Sequence, residues 1–386
     1  MNTLSQAFNN LKGDRFIWLI FMFLAFASIL AVYSSIGSMA YQQRGGNTEF
    51  YLLQHLLYLG FGMGLMIVCS RMHYMNFSKL APILIIVAIF LLIYTLIFGL
   101  EINDAKRWLE IPMLDKTVQT SDFAKIALII FLARELAKRQ NNIKDFKYAF
   151  LPIILPVGLV CMLIGSEDLS TAALLFATCF LMMMVGRVSL KYMGLTIMVG
   201  IILLSLLVLI GTAFPEYVRL ETWMSRVNEF MTDPNGGYQI QNSKIAIANG
   251  GIFGEGPGNS MQRNYLPFPY ADFIYAIICE EYGILGSGII LFLYLWLLLR
   301  CTAIVTKCPK SFGALLAMGL GLNIVIQAFA NMAVSVHLVP VTGLTLPIIS
   351  MGGTSLVLTC VAIGIILSVS RYVEDYKTEQ KVPLAI

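Results

Sequence analysis

Residues 265–299 read YLPFPYADFIYAIICEEYGILGSGIILFLYLWLLL. The second half of this stretch is apolar and long enough to cross a lipid bilayer. Asp272 lies among aromatic residues, where a long polar segment meets the apolar run. An ionised carboxylate at a membrane boundary is costly to maintain, which makes Asp272 a candidate functional residue. The alternative is a helix-capping or surface acid, since acidic residues are common at helix starts.

The whole chain has this apolar character. Hydrophobic residues make up 58% of its 386 residues and charged residues 12%, with a mean hydropathy of +0.78. That composition is typical of an integral membrane protein. We predict an all-α polytopic membrane protein with one domain over residues 1–386 and about ten transmembrane helices. The apolar runs are Phe16–Ser35, Phe50–Cys69, Ala81–Leu100, Asp122–Leu136, Phe150–Ile164, Thr171–Val185, Tyr192–Phe214, Phe273–Leu299, Phe312–Ala333 and Gly353–Ser370.

The distribution of charge predicts the orientation in the membrane. Alternate loops between the runs carry most of the 26 basic residues and few of the 22 acidic ones. Because basic loops stay in the cytoplasm, both termini are expected there. The longest loop, residues 215–271 between the seventh and eighth runs, then lies outside the cytoplasm. A net charge of only +4 gives no reason to expect nucleic acid as a partner.

The long outward loop has internal order. Gly236-Gly237 marks a turn before a short amphipathic helix predicted over Tyr238–Ala248. Five glycines follow between residues 250 and 258, where they favour tight turns and close backbone approach. A phosphate-binding loop is a poor match, because no strand precedes the glycines and no Lys-Ser/Thr pair follows them. The alternative is a loop packed against the membrane surface.

Other polar residues lie at the outward ends of the runs. Asp122 and Lys125 are three residues apart and can pair on one helix face. They form either a structural ion pair or part of an anion site, since a lysine inside an apolar run needs a partner. The acids at Glu167 and Asp168 are most simply explained by helix capping. Lys106, Arg226 and Arg263 supply outward cations, which are either ligand-binding or solvated.

Residues 339–355 read VPVTGLTLPIISMGGTS within a region of membrane depth. Two prolines, three glycines and several hydroxyls predict a break in the helix there. Broken backbone is tolerated at membrane depth only where it is buried in protein or lines a polar cavity. The segment therefore suits a transport path or a groove for a lipid substrate.

Several separated motifs follow one another along nearly the whole chain: Ala105–Trp108, Gln119–Lys125, Gly237–Gln241, Gly250–Gln262, Tyr265–Gly283, Asn331 and Gly343–Gly353. In this order they resemble the SEDS family (shape, elongation, division and sporulation). Residues 258–263, GNSMQR, are more similar to the division branch, FtsW, than to the elongation branch, RodA.

Three departures from the family pattern are visible. Thr120-Ser121-Asp122 stands where the family usually has Pro-Ser-Glu, and Ser166-Glu-Asp168 stands where Gln-Pro-Asp is common. Phe268 and Tyr270 replace a glutamate and a histidine that commonly precede the loop aspartate. An aromatic, partly dry environment would raise the pKa of Asp272, as a base working near neutral pH requires.

The resemblance implies a peptidoglycan glycosyltransferase that polymerises lipid II at the outer face of the bacterial cytoplasmic (inner) membrane during cell division. It implies a class B penicillin-binding protein and other division proteins as partners. Asp272 matches the catalytic aspartate of the family and is expected to be the general base. No cofactor is certain; a divalent cation, Mg²⁺ or Mn²⁺, could assist, but the sequence identifies no metal ligands. The expected substrate-binding residues are Lys106, Arg107, Asp122, Lys125, Arg226, Gln239, Ser243 and Arg263.

Two other functions remain open at this stage. One is a flippase or transporter for lipid-linked precursors, in which intramembrane polar groups form the path. The other is a non-catalytic scaffold that recruits division proteins. Both predict that Asp272 is dispensable, whereas a glycosyltransferase needs it.

Overall fold

The computed structural model describes residues 13–37, 47–102, 105–111, 116–214, 218–234 and 236–381. These residues form twelve α-helices and one small antiparallel sheet with the strand order β1-β2-β3. The strands are β1 (Leu100–Ile102), β2 (Ala105–Ile111) and β3 (Lys116–Gln119). The helices are α1 (Arg15–Ser35), α2 (Thr48–Arg71), α3 (Met75–Phe98), α4 (Thr120–Lys138), α5 (Leu151–Glu167), α6 (Leu169–Val185), α7 (Leu190–Ala213), α8 (Leu220–Thr232), α9 (Tyr238–Gly250), α10 (Ile274–Lys307), α11 (Ser311–Ser335) and α12 (Gly353–Lys381).

All ten apolar runs form helices, which confirms a multi-pass membrane protein. Eight of these helices are long and apolar enough to cross a membrane. The other two are α6, which has 17 residues, and α4, which carries more charged side chains. The all-α prediction needs one correction, because residues 100–119 contain the sheet. Helix α9 confirms the predicted amphipathic helix, whereas α8 was not predicted.

Burial separates the central helices from the peripheral ones. Helix α4 is buried on almost every face, and most of α11 and α12 lies inside the protein. Helices α3 and α7 instead expose apolar side chains on most of their surface. A helix that is apolar all round is either core or membrane-facing, so α3 and α7, like the similarly exposed α2, face the lipid.

The segments predicted to face outward lie together at one end of the bundle. There, Ser34 at the end of α1 hydrogen-bonds to Glu281 near the start of α10, and Arg107 of β2 pairs with Asp168 between α5 and α6. We call this the Asp272 end. At the opposite end, Arg300 of α10 pairs with Asp14, which caps α1. Alternating helix direction therefore agrees with the predicted topology, and the cytoplasmic location of the termini stays a prediction.

The glycine-rich loop pairs with a break in α10. Gly283 has φ 63° and interrupts the helix, which frees backbone groups on both sides of it. The loop takes up these groups: Glu255 N–H donates to Glu280 O at 2.9 Å, and Ile284 N–H donates to Gly251 O at 3.0 Å. A Cβ on Gly250 would come within 1.9 Å of a helix carbonyl oxygen. The predicted close backbone approach is confirmed, and glycine is what permits it.

The predicted helix break between α11 and α12 is also confirmed. Residues 336–352 are irregular, and residues 344–350 within them are almost all buried, so the carbonyl groups there need partners within the protein. Side chains of the surrounding helices provide them. Gln327 donates to Thr345 O at 3.0 Å, Asn331 donates to Leu344 O at 2.6 Å, and Ser28 donates to Ile349 O at 2.9 Å. Tyr294 donates to Pro347 O.

Asn331 is the central residue of this arrangement, because its amide also donates to Asp272 O at 2.8 Å. We expect Asn331→Ala to lower the free energy of unfolding by about 1–3 kcal/mol, because two buried carbonyls lose their donor. Chemical denaturation of the detergent-solubilised protein measures this. Asn323→Ala is the matched control: Asn323 lies on the same helix and makes no side-chain hydrogen bond to any described residue. Equal effects of the two substitutions would contradict the assigned role.

Candidate active site

Asp272 lies two residues before α10, at the end of the bundle that carries the predicted outward loops. Its backbone is held on both sides. Asn331 donates to Asp272 O, and the Ser350 hydroxyl donates to Ala271 O at 2.7 Å. Met351 N–H donates to Tyr270 O at 2.9 Å. The irregular segment therefore fixes the position from which the Asp272 side chain projects.

The Asp272 carboxyl is partly buried, and no described residue donates a hydrogen bond to it. Burial raises its pKa to about 6. The Arg226 guanidinium opposes this rise, the Asp168 carboxylate adds to it, and Arg107 opposes it more weakly. A carboxyl with a pKa near 6 is mostly ionised at neutral pH yet more basic than an ordinary aspartate. It can therefore accept a proton from a bound hydroxyl group.

The two arginines beside Asp272 differ in their contacts. Arg107 is held by its own partners: Nη1 pairs with Asp168 Oδ2 at 2.9 Å, and Nη2 donates to Glu167 O at 2.7 Å. Arg226 comes from α8, is partly buried, and has no hydrogen-bond partner among the described residues. Burial lowers the pKa of Arg226, and the neighbouring positive charge of Arg107 lowers it further. Arg226 is therefore the cation that is free to bind an anion.

The chain matches, over residues 14–375, the profile of a protein family described as "Cell cycle protein", FtsW, RodA and SpoVE. The chain belongs to this family. Stage V sporulation protein E of Bacillus subtilis is 33% identical over 363 residues, which cover 93% of this chain and 97% of that protein. A probable peptidoglycan glycosyltransferase FtsW of Hydrogenovibrio crunogenus is 33% identical over 350 residues, or 88% and 86% of the two chains.

Solved structures agree with this family membership. One chain comes from a study titled "Structural coordination of polymerization and crosslinking by a peptidoglycan synthase complex". It is 27% identical, with a TM-score of 0.70, and the match covers 94% of this chain and 98% of that one. The Thermus thermophilus rod shape determining protein RodA has a TM-score of 0.64 over the same shares at 24% identity, and supports the fold.

In this member of the family, the site residues expected from the sequence fall into two groups. The structure brings Arg107 and Arg226 to Asp272. Lys106 is nearby, since its backbone N–H donates to Glu167 Oε2 at 3.0 Å. Asp168 was interpreted only as a helix cap. It does cap α6, accepting from Thr171 N at 3.0 Å, but it also belongs to the charged cluster. An acid with both roles cannot be distinguished from a simple cap by its position in the sequence.

The expected residues Asp122 and Lys125 form a buried ion pair. Lys125 Nζ lies 2.7 Å from Asp122 Oδ1 and 3.2 Å from Gln327 Oε1. Gln327 in turn donates to Thr345 O, so the Asp122–Lys125 pair supports the irregular segment through Gln327. Both side chains are less than a tenth exposed, and no described contact joins them to the Asp272 carboxylate. This geometry is that of a structural ion pair and not of an anion-binding site.

The remaining three expected residues have other partners or other positions. Ser243 is fully buried on α9 and donates to Ser335 O at 2.8 Å. Arg263 donates to Ser34 O at 3.1 Å and lies near Glu281, away from the charged cluster. Gln239 lies partly buried in the first turn of α9, and no described contact connects it with Asp272.

A divalent cation needs several oxygen or nitrogen ligands in one place. Within the described part of the chain, no group of three or more His, Cys, Asp or Glu residues could hold a metal ion. The described residues therefore offer no metal site built from protein side chains alone, and we derive no step through a metal.

Arg226 is expected to control the titration of Asp272. In Arg226→Gln the nearest opposing charge is lost, so the pKa of Asp272 should rise above about 6. Infrared titration of the carboxyl band, identified by its loss in Asp272→Asn, measures the pKa in each variant. Arg263→Gln is the control, because Arg263 neighbours Glu281 and not Asp272. An unchanged or lowered pKa in Arg226→Gln would refute the assignment.

Proposed function

We propose that this protein is a peptidoglycan glycosyltransferase that polymerises lipid II into glycan strands, with Asp272 as the general base. The observation that carries the proposal is the Asp272 carboxyl, ionisable near pH 6 and flanked by one free and one anchored arginine. Relatives named as probable peptidoglycan glycosyltransferases, 31–33% identical over most of the chain, support the reaction class.

The proposed reaction joins two lipid-linked disaccharides. A sugar hydroxyl of the acceptor attacks the anomeric carbon of the donor, and Asp272 takes the proton of that hydroxyl. The new C–O bond forms as the bond to the lipid pyrophosphate breaks, and the bonding electron pair leaves on a pyrophosphate oxygen. Glycoside hydrolysis needs a second carboxylic acid to protonate its leaving group. Pyrophosphate is already a stable anion, so cations can replace that acid.

Arg226 is the proposed ligand of the leaving pyrophosphate. Its guanidinium makes no hydrogen bond to a described residue, and arginine binds phosphate oxygens through paired N–H donors. Arg107 adds positive charge from a fixed position, because the backbone carbonyl of Glu167 and the carboxylate of Asp168 hold it. Lys106, next to Arg107 on β2, is the third candidate cation.

The location and partners follow from the same proposal. The Asp272 end faces outward from the bacterial inner membrane, both termini are cytoplasmic, and residues 215–271 carry the active-site region of a single membrane domain. A class B penicillin-binding protein is the proposed partner. The similar chain from a study of a complex coordinating polymerization and crosslinking supports this pairing. The FtsW relatives favour a role in cell division.

Replacing Asp272 tests the function directly. The protein is purified with its cognate penicillin-binding protein, supplied with lipid II, and assayed for glycan strands. We expect Asp272→Asn to slow polymerisation by about 10²- to 10⁴-fold, the usual contribution of a general base. Asp233→Asn is the matched control, since Asp233 lies in the same loop beyond α8. Undiminished polymerisation by Asp272→Asn would show that Asp272 is not the general base. A wild type that is folded but inactive would instead favour a flippase or a non-catalytic scaffold.

The pH dependence is a separate test. Only the ionised carboxylate accepts a proton, so kcat/KM should fall as the pH drops through about 6. Below that value the rate should decrease about tenfold for each pH unit, following the fraction of Asp272 that is ionised. Initial rates between pH 5 and pH 8 measure this profile. A flat profile across that range, with the protein still folded, would contradict a base of this pKa.

A further inference from the structure

A groove of about 300 Å³ lies beside Tyr270, on the other side of the sheet from the paired Arg107 and Asp168. We propose that this groove, named here the aromatic groove, binds the neutral amino sugar of the acceptor substrate, while the arginine side receives the pyrophosphate of the donor. This inference rests on the proposed glycosyltransferase function and assigns its two substrates to separate places. The lining residues that argue for it are Gln54, Tyr58, Trp108, Thr117, Tyr270 and Thr354.

Strand β2 separates the two places. Arg107 and Trp108 are consecutive, and successive side chains of a strand point to opposite faces. Arg107 reaches the junction of α5 and α6, where it pairs with Asp168. Trp108 lines the aromatic groove. Thr117 of β3 is paired with Glu110, two residues beyond Trp108, so it lies on the same face as Trp108.

The chemistry of the lining suits a sugar better than a phosphate. Three aromatic rings, from Tyr58, Trp108 and Tyr270, offer flat apolar surfaces for the C–H faces of a pyranose ring. Gln54 and the two threonines offer neutral hydrogen-bonding groups for hydroxyl and acetamido substituents. Among the described lining residues none is Asp, Glu, Lys or Arg. Pyrophosphate needs cations, which lie on the Arg107 and Arg226 side.

The aromatic groove also lies at the correct place for the reaction. Tyr270 is two residues before Asp272; Met351 of the irregular segment holds the carbonyl group of Tyr270, and Asn331 of α11 holds that of Asp272. A sugar packed on Tyr270 therefore lies next to the proposed base. The volume of about 300 Å³ is at the lower limit of small-molecule sites, which suits one sugar unit better than a whole lipid-linked disaccharide peptide.

Gly353 lines the aromatic groove next to Tyr58. A Cβ on Gly353 would lie 3.1 Å from the ring of Tyr58, so Tyr58 would have to shift. This gives a second variant, beside Tyr58, that narrows the groove without removing any of its aromatic residues. The Tyr58 and Trp108 contributions can therefore be tested separately.

The experiment measures binding of two simple probes to the purified full-length chain in detergent. Chitobiose represents the neutral amino sugar, and farnesyl diphosphate represents the lipid pyrophosphate. Saturation-transfer NMR titrations give the affinity of each probe for wild type, Trp108→Ala, Trp108→Phe, Gly353→Ala and Arg226→Gln. Trp223→Ala is the matched control, because Trp223 lies on α8 and does not line the groove.

We expect each variant to weaken the binding of only one of the two probes. Trp108→Ala and Gly353→Ala should each weaken chitobiose binding by about tenfold, the size of one aromatic contact, and leave farnesyl diphosphate unchanged. Trp108→Phe should retain most of the chitobiose affinity. Arg226→Gln should weaken farnesyl diphosphate and leave chitobiose unchanged. Unfolding midpoints equal to wild type establish that each variant is folded.

Three results would overturn the proposal: no saturable chitobiose binding by wild type in the millimolar range, chitobiose affinity unaffected by both groove variants, or chitobiose affinity lost in Arg226→Gln. Binding is measured without polymerisation, so the two hypotheses fail separately. If the wild type polymerises lipid II and both groove variants bind chitobiose as tightly as the wild type, only this inference is refuted. A folded wild type that forms no glycan strands refutes the glycosyltransferase function.

Discussion

The structure depends on satisfying an irregular backbone inside a bundle of membrane helices. Residues 336–352 cannot use helical hydrogen bonds, and lipid offers none. Ser28, Tyr294, Gln327 and Asn331, from three different helices, supply donors to their carbonyl groups. The same segment holds Tyr270 and Ala271 through their main-chain oxygens, and Asn331 of α11 holds that of Asp272. The polar residues of the core thus create a fixed platform from which Asp272 projects.

The electrostatics of Asp272 balance opposing effects. Burial and the neighbouring Asp168 favour the protonated acid, whereas Arg226 and Arg107 favour the carboxylate. The result is a base strong enough to accept a proton and still charged at neutral pH. Asp168 affects both sides of this balance, because it also neutralises part of the charge of Arg107. A single acid at the start of α6 thereby tunes the base and fixes one of the cations.

Much of the fold was predictable from the sequence, since long apolar runs, glycines and prolines each act locally. The ten helices, the broken segment and the close approach of the glycine-rich loop follow from such local signals. The sheet was missed because its strands are short and half polar, and too brief to show the sustained alternation that identifies a half-buried strand. Helix α8 was missed because its apolar side chains do not form a continuous run.

The candidate site was predictable only in part. Asp272 stood out because a carboxylate at a membrane boundary is costly, and the family resemblance singled out the same residue. Which cations accompany it depends on contacts between residues that are distant in the sequence, since Arg107 and Arg226 lie 165 and 46 positions before Asp272. Arg107 and Arg226 reach Asp272, while Arg263 is retained by Ser34 and Lys125 by Asp122. The spacing of Asp122 and Lys125 is a local signal for their pair, but no local pattern separates Arg107 and Arg226 from Arg263.

The pairing of the glycine-rich loop with the interrupted start of α10 has a consequence for how this protein can change over time. At Gly250, Gly254 and Gly283 an added methyl group would collide with backbone atoms, and backbone cannot adopt another rotamer to make room. A compensating second substitution is therefore hard to find, since no neighbouring side chain can be made smaller. Substitution of any one of these three glycines is therefore expected to be lost rather than compensated.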